Sequence, residues 1–219
     1  MADRSDNISF SHRNMTTKRI GILGGTFNPI HIGHLILGQT AHETLELGKV
    51  LFIPCNQPAH KPGRGLAPSE HRLAMVHHAI EHDLRFELCD IEIRRGGISY
   101  AIDTVRELGL LYPGAELFFI IGADTLRELH LWKKAHDLLN LCQFVTFSRP
   151  GYDVDNVKPA EIKLEEPWPQ KLIRNVRPCR LIDISSSDIR HRIAEGLGIS
   201  YLVPQAVDMY IMEHRLYSR

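Results

Sequence analysis

The stretch Arg19-Ile-Gly-Ile-Leu-Gly-Gly-Thr-Phe-Asn-Pro-Ile-His-Ile-Gly-His34 decides the fold of this chain. Residues 19–23 are short and apolar, as a buried strand should be, and Gly24-Gly25 gives the backbone freedom to turn against a ligand. Asn28 is a suitable helix cap, and Pro29 suits the first position of a helix. The stretch therefore predicts a buried strand, a glycine turn and the start of a helix.

Two histidines near the predicted helix start indicate a bound anion. His31 and His34 are three residues apart, so they project from one face of the first turns, beside unpaired backbone N–H groups and the positive end of the helix dipole. An imidazole donor has little structural purpose there without an anion. The stretch lacks the Gly-Lys-Ser/Thr ending of a P-loop and the third glycine of a dinucleotide-binding fingerprint. Although an isolated glycine turn is as often only a tight connection, the two histidines predict a polyphosphate site.

Strand-like and helix-like segments alternate along most of the chain. The predicted strands cover residues 19–23, 49–53, 86–93, 116–121, 143–147 and 180–184. The predicted helices cover residues 31–47, 69–82, 101–112, 125–141, 186–195 and 205–216. This alternation is typical of a doubly wound (Rossmann-like) α/β domain, in which helices flank a mainly parallel sheet and ligands bind beyond the carboxyl ends of the strands. The connection 54–68 is rich in proline and glycine, and the connection 151–178 is long and polar with no convincing periodicity. Both are candidates for mobile substrate loops.

The length and charge of the chain favour one domain that does not bind nucleic acid. With 219 residues the chain can bury one full core. We expect a single domain over residues 18–219, after a polar, disordered tail over residues 1–17. Lysines plus arginines equal aspartates plus glutamates at 26 each, so no general field attracts nucleic acid or an anionic membrane. Any anion must therefore be bound by a local cluster.

The cysteine spacing favours a reducing compartment, and the hydropathy pattern shows neither a membrane span nor a signal core. Cys55, Cys89, Cys142 and Cys179 lie far apart without a CxxC pair, which argues against a zinc knuckle or a disulfide framework. No stretch approaches the ~20 apolar residues of a membrane span, and the N-terminus lacks an apolar signal core. We expect a cytoplasmic protein that binds small molecules, and the sequence leaves a homo-oligomer open.

A second segment, Ile184-Ser-Ser-Ser-Asp-Ile-Arg190, follows a predicted strand and starts a helix. Ser185 with Asp188 fits a capping box in its broad form, which is a structural role. Arg190 lies in the first turns, where the helix dipole disfavours a cation unless an anion compensates it, and a guanidinium binds phosphate through paired hydrogen bonds. Two helix starts, one with histidines and one with arginine, are thus suited to bind a triphosphate between them.

These motifs and those between them resemble the bacterial nicotinate mononucleotide adenylyltransferases. Residues 24–34 resemble the T/HxGH signature of the nucleotidyltransferase superfamily, and residues 184–190 resemble its second ATP motif. The specific matches lie between these two, in the family's order: Gln57-Pro-Ala-His-Lys61, Ser69-Glu-His-Arg-Leu-Ala-Met75, Ser99-Tyr-Ala-Ile-Asp-Thr104, Ile121-Gly-Ala-Asp124, Leu131-Trp-Lys133 and Ser148-Arg-Pro150. The resemblance extends from residue 19 to about residue 217.

The resemblance implies transfer of AMP from ATP to nicotinate mononucleotide, with Mg²⁺, which gives deamido-NAD and pyrophosphate. A phosphate nucleophile is already ionised at neutral pH, so positioning and charge neutralisation suffice without a general base. The implied catalytic residues are His31 and His34, with His34 nearest the α-phosphate, and Arg190 on the β and γ side. The other implied ATP-binding residues are Gly25, Thr26, Phe27, Gly122, Asp124, Ser185 and Ser186.

The resemblance also implies an acceptor site. Trp132 would stack on the pyridine ring, while backbone N–H groups near Lys133 and at Tyr100-Ala101 would receive the nicotinate carboxylate. Asn56, Lys61 and Arg149 are the implied ligands of the substrate phosphates. Two departures from the family pattern matter. Asn28 stands where aspartate is common, and Ala101 replaces the usual threonine.

Several of these residues also have a purely structural interpretation. Asp124 is equally suited to cap a helix from Thr125, and Trp132 to lie in the core. Lys61 and Arg149 need no explanation as solvated cations. No metal-binding residue is predicted. Three histidines could align on one predicted helical face: His71, His78 and His82. No carboxylate or cysteine completes a zinc site with them.

Two other functions fit the same motifs. One is another adenylyl or cytidylyl transferase of this fold, including one that prefers the nicotinamide form. The other is a nucleotide sensor that kept the fold without the activity. The presence of His31, His34 and Arg190 together favours an enzyme, because a binding module has less need of groups around a reacting phosphorus.

Overall fold

Six parallel strands form the centre of the molecule. The computed structural model of the protein describes residues 19–59, 65–148, 151 and 157–218. Within these residues the strands of the sheet are β1 (Arg19–Gly25), β2 (Lys49–Pro54), β4 (Phe86–Leu88), β6 (Glu116–Gly122), β7 (Gln143–Phe147) and β8 (Val176–Arg177). Their spatial order is β4-β2-β1-β6-β7-β8. A separate parallel pair, β3 (Gln57–Pro58) and β5 (Ile98–Ser99), lies beyond the end of β2.

Helices cover both faces of the sheet. One apolar layer packs beneath α1 (Ile32–Thr44), α2 (Ser69–Ile80), α8 (Ser186–Ala194) and α9 (Gln205–Glu213). The other layer packs beneath α3 (Ile91–Arg95), α4 (Ala101–Leu111), α5 (Ala123–Leu126), α6 (Ala135–Leu141) and α7 (Trp168–Arg174). Two 3₁₀ turns are Leu129–Leu131 and Pro159–Glu161. After their charged or polar first residues the central strands are mainly apolar, because both of their faces are buried. This confirms the predicted doubly wound α/β fold.

Strand β1 lies at the centre, between β2 and β6. Gly21 allows this close packing, because a Cβ atom there would lie 2.6 Å from Leu47 Cδ1 and 3.0 Å from Ile120 Cδ1. The helix after β1 covers one face of the sheet, and the helix after β6 covers the other. The carboxyl ends of β1 and β6 therefore form the point at which the winding reverses, where doubly wound folds bind ligands.

The structure corrects three predicted elements. The run 86–93 is not one strand, since β4 ends at Leu88 and α3 then buries Ile91 and Glu92. The predicted helix 125–141 is interrupted, because Trp132 is extended and Lys134 adopts a left-handed φ of 53°. Residues 180–184 form no strand. The edge strand is β8 instead, within the connection 151–178, which also contains α7.

The described residues contain no helix with the length and apolar character needed to cross a membrane. The four cysteines are free thiols. Burial raises the pKa of the Cys142 thiol to about 12. The interpretation of residues 1–17 as a tail lies outside the described residues.

Candidate active site

Two cavities open at the carboxyl edge of the sheet and meet at Gly24, near the end of β1. The first, which we call the nucleotide cavity, has a volume of about 180 Å³. It is lined by the start of α1, by the segment after β6 and by residues 179–184. The lining residues with polar or ionisable side chains are His31, His34, Asp124, Thr125, Ser148, Cys179 and Arg180.

The two histidines of the first motif face each other at the start of α1. Their ring centroids are 3.7 Å apart and the rings are inclined by 32°. His31 is the N-terminal cap residue of α1, and its backbone N–H donates to Nδ1 of His34 at 3.2 Å. Because Nδ1 of His34 accepts this bond, the proton of the neutral ring lies on Nε2, which is the donor that a phosphate oxygen needs. The structure thus brings the predicted pair together in the nucleotide cavity.

Gly33, the glycine within the HxGH signature, has a packing role that the sequence did not reveal. A Cβ atom at Gly33 would lie 3.1 Å from both Cε1 and Nδ1 of the His31 ring. A side chain at this position would therefore require the His31 ring to shift by a few tenths of an ångström. The available signal was a glycine in the first turn of a helix, where glycine is otherwise unfavourable.

The turn before α1 differs from the prediction. The helix begins at Ile32 rather than at Pro29, so Asn28 does not cap it. Asn28 instead joins distant segments, since its Nδ2 donates to Gly65 O at 2.8 Å and its Oδ1 accepts from Ala67 N at 3.0 Å and from Tyr217 Oη at 2.8 Å. An amide suits this position because it donates as well as accepts. An aspartate would lose the bond to Gly65.

Residues of helix α8 bind the turn at Asn28 and Pro29 that precedes α1. Ser185 caps α8 by accepting from Asp188 N at 3.1 Å, as predicted. Ser186 Oγ donates to Pro29 O at 2.9 Å, and Arg190 Nη1 donates to Asn28 O at 2.7 Å. The structure therefore places the two helix starts together. In the described part of the chain, Ser185, Ser186 and Arg190 lie beside the turn rather than in the lining of the nucleotide cavity.

The segment after β6 forms the opposite wall of the nucleotide cavity. Gly122, Asp124 and Thr125 line it. Gly122 holds the cap position of α5, and Asp124 lies within the helix. The interpretation of Asp124 as a helix cap is therefore wrong, and its half-buried carboxylate stands at the cavity wall.

The second cavity, which we call the acceptor cavity, has a volume of about 200 Å³. It is lined by Gly24, Gly25, Thr26, Cys55, Pro58, Ala59, Glu92, Ser99, Tyr100, Ala101, Phe119, Trp132 and Lys133. Six of these are predicted acceptor or nucleotide ligands, and they line the cavity together with apolar residues: Gly25, Thr26, Tyr100, Ala101, Trp132 and Lys133. Such a mainly apolar pocket with a few placed polar groups is typical of a small-molecule site.

Trp132 belongs both to the core and to the acceptor cavity. Its ring meets Phe119 edge to face at 5.6 Å and Phe144 at 6.1 Å. Lys133 Nζ lies 4.1 Å from the centroid of the Tyr100 ring and 3.3 Å from Asp103 Oδ2. Tyr100 caps α4, and Ala101 is the first residue of that helix. The backbone N–H groups at the start of α4 thus lie at the cavity wall, where they favour an anion.

Of the three predicted phosphate ligands, the structure describes Asn56, which is not in the lining of either cavity. Asn56 Nδ2 donates to Gly97 O at 2.9 Å, and Asn56 N donates to Ser99 Oγ at 2.9 Å, so Asn56 joins the two short strands. Lys61 and Arg149 lie outside the described residues.

Glu92 is a buried acidic residue in the acceptor cavity that sequence reasoning missed. Its carboxylate accepts a hydrogen bond from Thr104 Oγ1 at 2.5 Å, and Arg95 Nη2 donates to the same hydroxyl at 2.9 Å. Burial raises the pKa of the Glu92 carboxyl. In a single sequence Glu92 is one acidic residue among many, and nothing indicated that α3 would bury it.

His71, His78 and His82 do not come together as a candidate metal-binding group among the described residues. His71 Nδ1 lies 2.9 Å from Tyr210 Oη, and the His78 ring also packs against Tyr210, at 5.4 Å between ring centroids. His77 and His78 instead lie 3.4 Å and 3.7 Å from the Glu81 carboxylate, so a carboxylate does stand beside them. This cluster is largely exposed and lies outside the lining of both cavities.

Comparison with known proteins identifies the family of this chain. The cytidylyltransferase-like family model matches residues 22–192. A protein of Desulfitobacterium hafniense named as a probable nicotinate-nucleotide adenylyltransferase is 42% identical over 207 residues, which cover 93% of this chain and 98% of the relative. A protein of the same name from Dehalococcoides mccartyi is 43% identical over 209 residues, which cover 94% of this chain and all of the relative.

Solved structures share the fold at low sequence identity. The nicotinic acid mononucleotide adenylyltransferase of Plasmodium falciparum, solved with NaAD, has a TM-score of 0.72 and 19% identity over 91% of this chain and 97% of that chain. A protein of Vibrio parahaemolyticus described as a nicotinate-nucleotide adenylyltransferase has a TM-score of 0.65 and 19% identity over 91% and 95%. The chain therefore belongs to the cytidylyltransferase-like family and, within it, to the nicotinate-nucleotide adenylyltransferases.

Proposed function

We propose that this chain transfers AMP from ATP to nicotinate mononucleotide, forming nicotinate adenine dinucleotide and pyrophosphate in NAD biosynthesis. The observation that carries the proposal is the pair of cavities that meet at Gly24, with His31 and His34 on one side and Trp132 on the other. A dinucleotide product needs two adjoining sites, with the groups that neutralise phosphate charge near their junction.

In the reaction, an oxygen of the acceptor 5′-phosphate forms a bond to the α-phosphorus of ATP. The bond from that phosphorus to the bridging oxygen of the β-phosphate breaks, and the electron pair leaves with pyrophosphate. No proton has to be removed from the nucleophile, because a phosphate monoester is ionised at neutral pH. The protein therefore contributes positioning and charge stabilisation.

On the nucleotide side, His34 Nε2 donates to the α-phosphate, where negative charge grows in the transition state. His31 lies against the His34 ring and extends the same donor surface. Arg190 acts on the β- and γ-phosphates, for which its guanidinium exchanges the bond to Asn28 O for phosphate oxygens. Asp124 accepts the ribose hydroxyls, while Gly25, Thr26, Phe27, Gly122, Ser185 and Ser186 complete the nucleotide contacts.

On the acceptor side, Trp132 stacks on the pyridine ring. The nicotinate carboxylate binds backbone N–H groups at Tyr100-Ala101, at the start of α4, and near Lys133. This arrangement works through the backbone, so alanine at position 101 in place of the usual threonine leaves it intact. Asn56, Lys61 and Arg149 remain proposed ligands of the substrate phosphates.

Magnesium fits this site as an ion that enters with ATP. Mg²⁺ retains several waters and is bound through one or two carboxylates together with substrate phosphates. The nucleotide cavity offers one lining carboxylate, Asp124, among the residues that the structure describes. When bound, the ion neutralises charge on the triphosphate. No residue of this chain is proposed as its dedicated ligand.

We also propose that the enzyme works in the cytoplasm on small-molecule substrates. The four free thiols support a reducing compartment. The equal numbers of acidic and basic residues support the proposal that nucleic acid is not a partner.

Pyrophosphate release with ATP and Mg²⁺ tests the proposed function. Nicotinate mononucleotide, nicotinamide mononucleotide and phosphopantetheine are compared at equal concentration. A strong preference for the nicotinate form supports the proposal and its carboxylate pocket. Turnover with another acceptor contradicts the assignment of the acceptor cavity. The absence of turnover with all three, together with tight ATP binding, identifies a nucleotide sensor.

A further inference from the structure

Arg72, in α2, is a buried cation whose partners are backbone carbonyls. Its side chain is 1% exposed. Nε donates to Ala67 O at 3.0 Å, and Nη2 donates to Asn56 O at 2.7 Å. Nη1 donates to Cys55 O at 2.6 Å and to Thr26 O at 2.9 Å. Within the described ranges, no carboxylate lies at ion-pair distance from this guanidinium.

The four carbonyls belong to three separate segments at the carboxyl edge of the sheet. Thr26 follows β1, Cys55 and Asn56 follow β2, and Ala67 precedes α2. The ladder between β1 and β2 ends at Gly25 and Pro54. Beyond that point, regular strand pairing no longer holds these segments together. There the Arg72 guanidinium connects the three segments through its hydrogen bonds to their carbonyls.

The segments that Arg72 joins form part of the acceptor cavity. Thr26 and Cys55 both line it, next to the shared residue Gly24. Asn56 N donates to Ser99 Oγ, so the same segment also holds the strand that leads into Tyr100-Ala101. The position of the Arg72 fork therefore sets the distance between the end of β1 and the wall that receives the acceptor.

A structural role alone is a poor explanation for a charge at this position. A buried guanidinium without an ion pair has a large desolvation cost, and well-packed apolar residues usually stabilise a core as well or better. Arginine also remains protonated at any pH at which the protein is folded. A permanent positive charge beneath the cavity favours the anionic groups that the reaction brings together there.

We propose that Arg72 is a positioning residue for AMP transfer, which fixes the Thr26 and Cys55-Asn56 backbone so that the acceptor phosphate lies in line with the nucleotide. The proposal rests on the proposed function. Lysine cannot replace the arginine, because one ammonium group cannot reach all three segments in the geometry of the planar fork.

The test compares Arg72→Lys and Arg72→Met with the matched control Arg192→Met. Arg192 also binds backbone, since its Nε and Nη2 donate to Gly198 O at 3.1 Å and 2.9 Å, but it lies at the far end of α8. We expect kcat/KM for nicotinate mononucleotide to fall by about 100-fold in both Arg72 variants, because a small misplacement of reacting groups has an effect of that order. The Kd for a non-hydrolysable ATP analogue stays within about threefold, since Arg72 does not line the nucleotide cavity and binds only one of the proposed nucleotide contacts, Thr26, at its carbonyl oxygen. Arg192→Met leaves both quantities unchanged.

Two results would overturn the proposal. One is an equal loss of nucleotide affinity and turnover, which identifies a general structural role. The other is full activity in Arg72→Lys. If Arg72→Met does not fold, Arg72→Lys still decides between these outcomes.

A second readout separates this proposal from the proposed function. Amide hydrogen exchange at residues 55–57 and 67 is expected to rise in Arg72→Lys and not in Arg192→Met. If the unmodified protein releases no pyrophosphate, the proposed function fails. In that case, faster exchange together with weaker binding of nicotinate mononucleotide supports the positioning role of Arg72. The absence of either effect contradicts it.

Discussion

At the scale of single residues, the positions of the His31 and His34 rings depend on neighbouring residues that contact them. Gly33 leaves room for the His31 ring, and the His31 backbone N–H fixes the tautomer of His34. Phe27 meets the His34 ring edge to face at 5.0 Å. Its φ of 47° is unusual for a residue with a side chain, and such strain is concentrated at functional sites. The sequence predicted the histidine pair, but it did not reveal these supporting contacts.

His34→Ala is expected to lower kcat far more than it weakens binding. The lost donor acts on charge that develops in the transition state, so kcat falls by about 100-fold or more. The Kd for a non-hydrolysable ATP analogue changes only a few-fold, as calorimetry can measure. His136→Ala, on the exposed surface of α6, serves as the control with unchanged kinetics. Equal losses in kcat and affinity for His34→Ala would remove the transition-state role.

At the scale of elements, two of the three glycines in the central strand β1, Gly21 and Gly24, have different tasks. A Cβ atom at Gly21 would press on buried side chains, whereas one at Gly24 would lie 3.7 Å from Phe119 Cζ, which is ordinary contact. Gly21 therefore serves packing, and Gly24 serves the junction of the cavities. The sequence predicted a turn at Gly24, after the predicted strand 19–23, but it did not indicate that Gly21 inside that strand is needed for close packing.

Gly21→Ala and Gly24→Ala are expected to have opposite effects. Gly21→Ala lowers the free energy of unfolding by about 1–3 kcal/mol, because Leu47 and Ile120 must shift within a packed core. Gly24→Ala changes stability by less than about 0.5 kcal/mol, but it raises KM for the acceptor, since its methyl group enters the acceptor cavity beside Phe119. Urea denaturation and steady-state kinetics on both variants measure this. A stable Gly21→Ala protein or an unchanged KM in Gly24→Ala would contradict the division of tasks.

The turn between α2 and β4 makes folding stability depend on acid pH. Asp83 accepts from Arg85 Nε at 2.9 Å, from Arg85 Nη2 at 2.7 Å and from Arg85 N at 3.0 Å. These bonds hold the pKa of the Asp83 carboxyl below its usual value of 3.8. The stabilisation is therefore present above that value and is lost as pH falls through the lower pKa of the folded state.

Asp83→Asn is expected to flatten this pH dependence. At neutral pH the variant is less stable by about 0.5–1 kcal/mol, which is a modest amount because the pair is partly exposed. The difference from the unmodified protein disappears between about pH 4 and pH 2, where both forms lack the charged pair. Urea denaturation across this range measures it. Asp137→Asn removes a more exposed carboxylate and controls for the loss of one negative charge. A difference that persists at the lowest pH would show that charge is not its cause.

At the scale of the whole molecule, the C-terminal end of the described chain contacts the first motif. Tyr217, near the C-terminus, donates to Asn28 Oδ1, while Arg190 and Ser186 bind the same turn from α8. Asn28 thus connects the first motif, the segment before α2 and the last helical region. The departure from the common aspartate is explained by this network of donors and acceptors.

Tyr217→Phe is expected to destabilise the fold by about 1 kcal/mol, the typical contribution of one hydrogen bond that is partly buried. Chemical denaturation measures the change. Tyr201→Phe is the matched control, because the Tyr201 side chain is 94% exposed and its loss of a hydroxyl leaves stability unchanged. Equal stabilities of Tyr217→Phe and the unmodified protein would mean that the bond to Asn28 makes no net contribution.

Much of the architecture could be predicted, because periodicity and glycine placement are local signals. The core strands β1, β2, β6 and β7 and the start of α8 appear close to their predicted bounds. Tertiary contacts decided the rest. The short helix α3 and the break at Lys134 depend on neighbours that packed from elsewhere, and a run of apolar residues does not record them. The charges of Arg72 and Glu92 were missed for the same reason.

The junction at Gly24 has a consequence for inhibition. Two ligands that bind separately each lose translational and rotational freedom, whereas a single molecule that spans both cavities loses that freedom once. Because a residue without a side chain separates the cavities, a short linker between a purine-like group and a pyridine-like group suffices to reach across. A bridged compound of this kind is therefore expected to bind far more tightly than either of its halves.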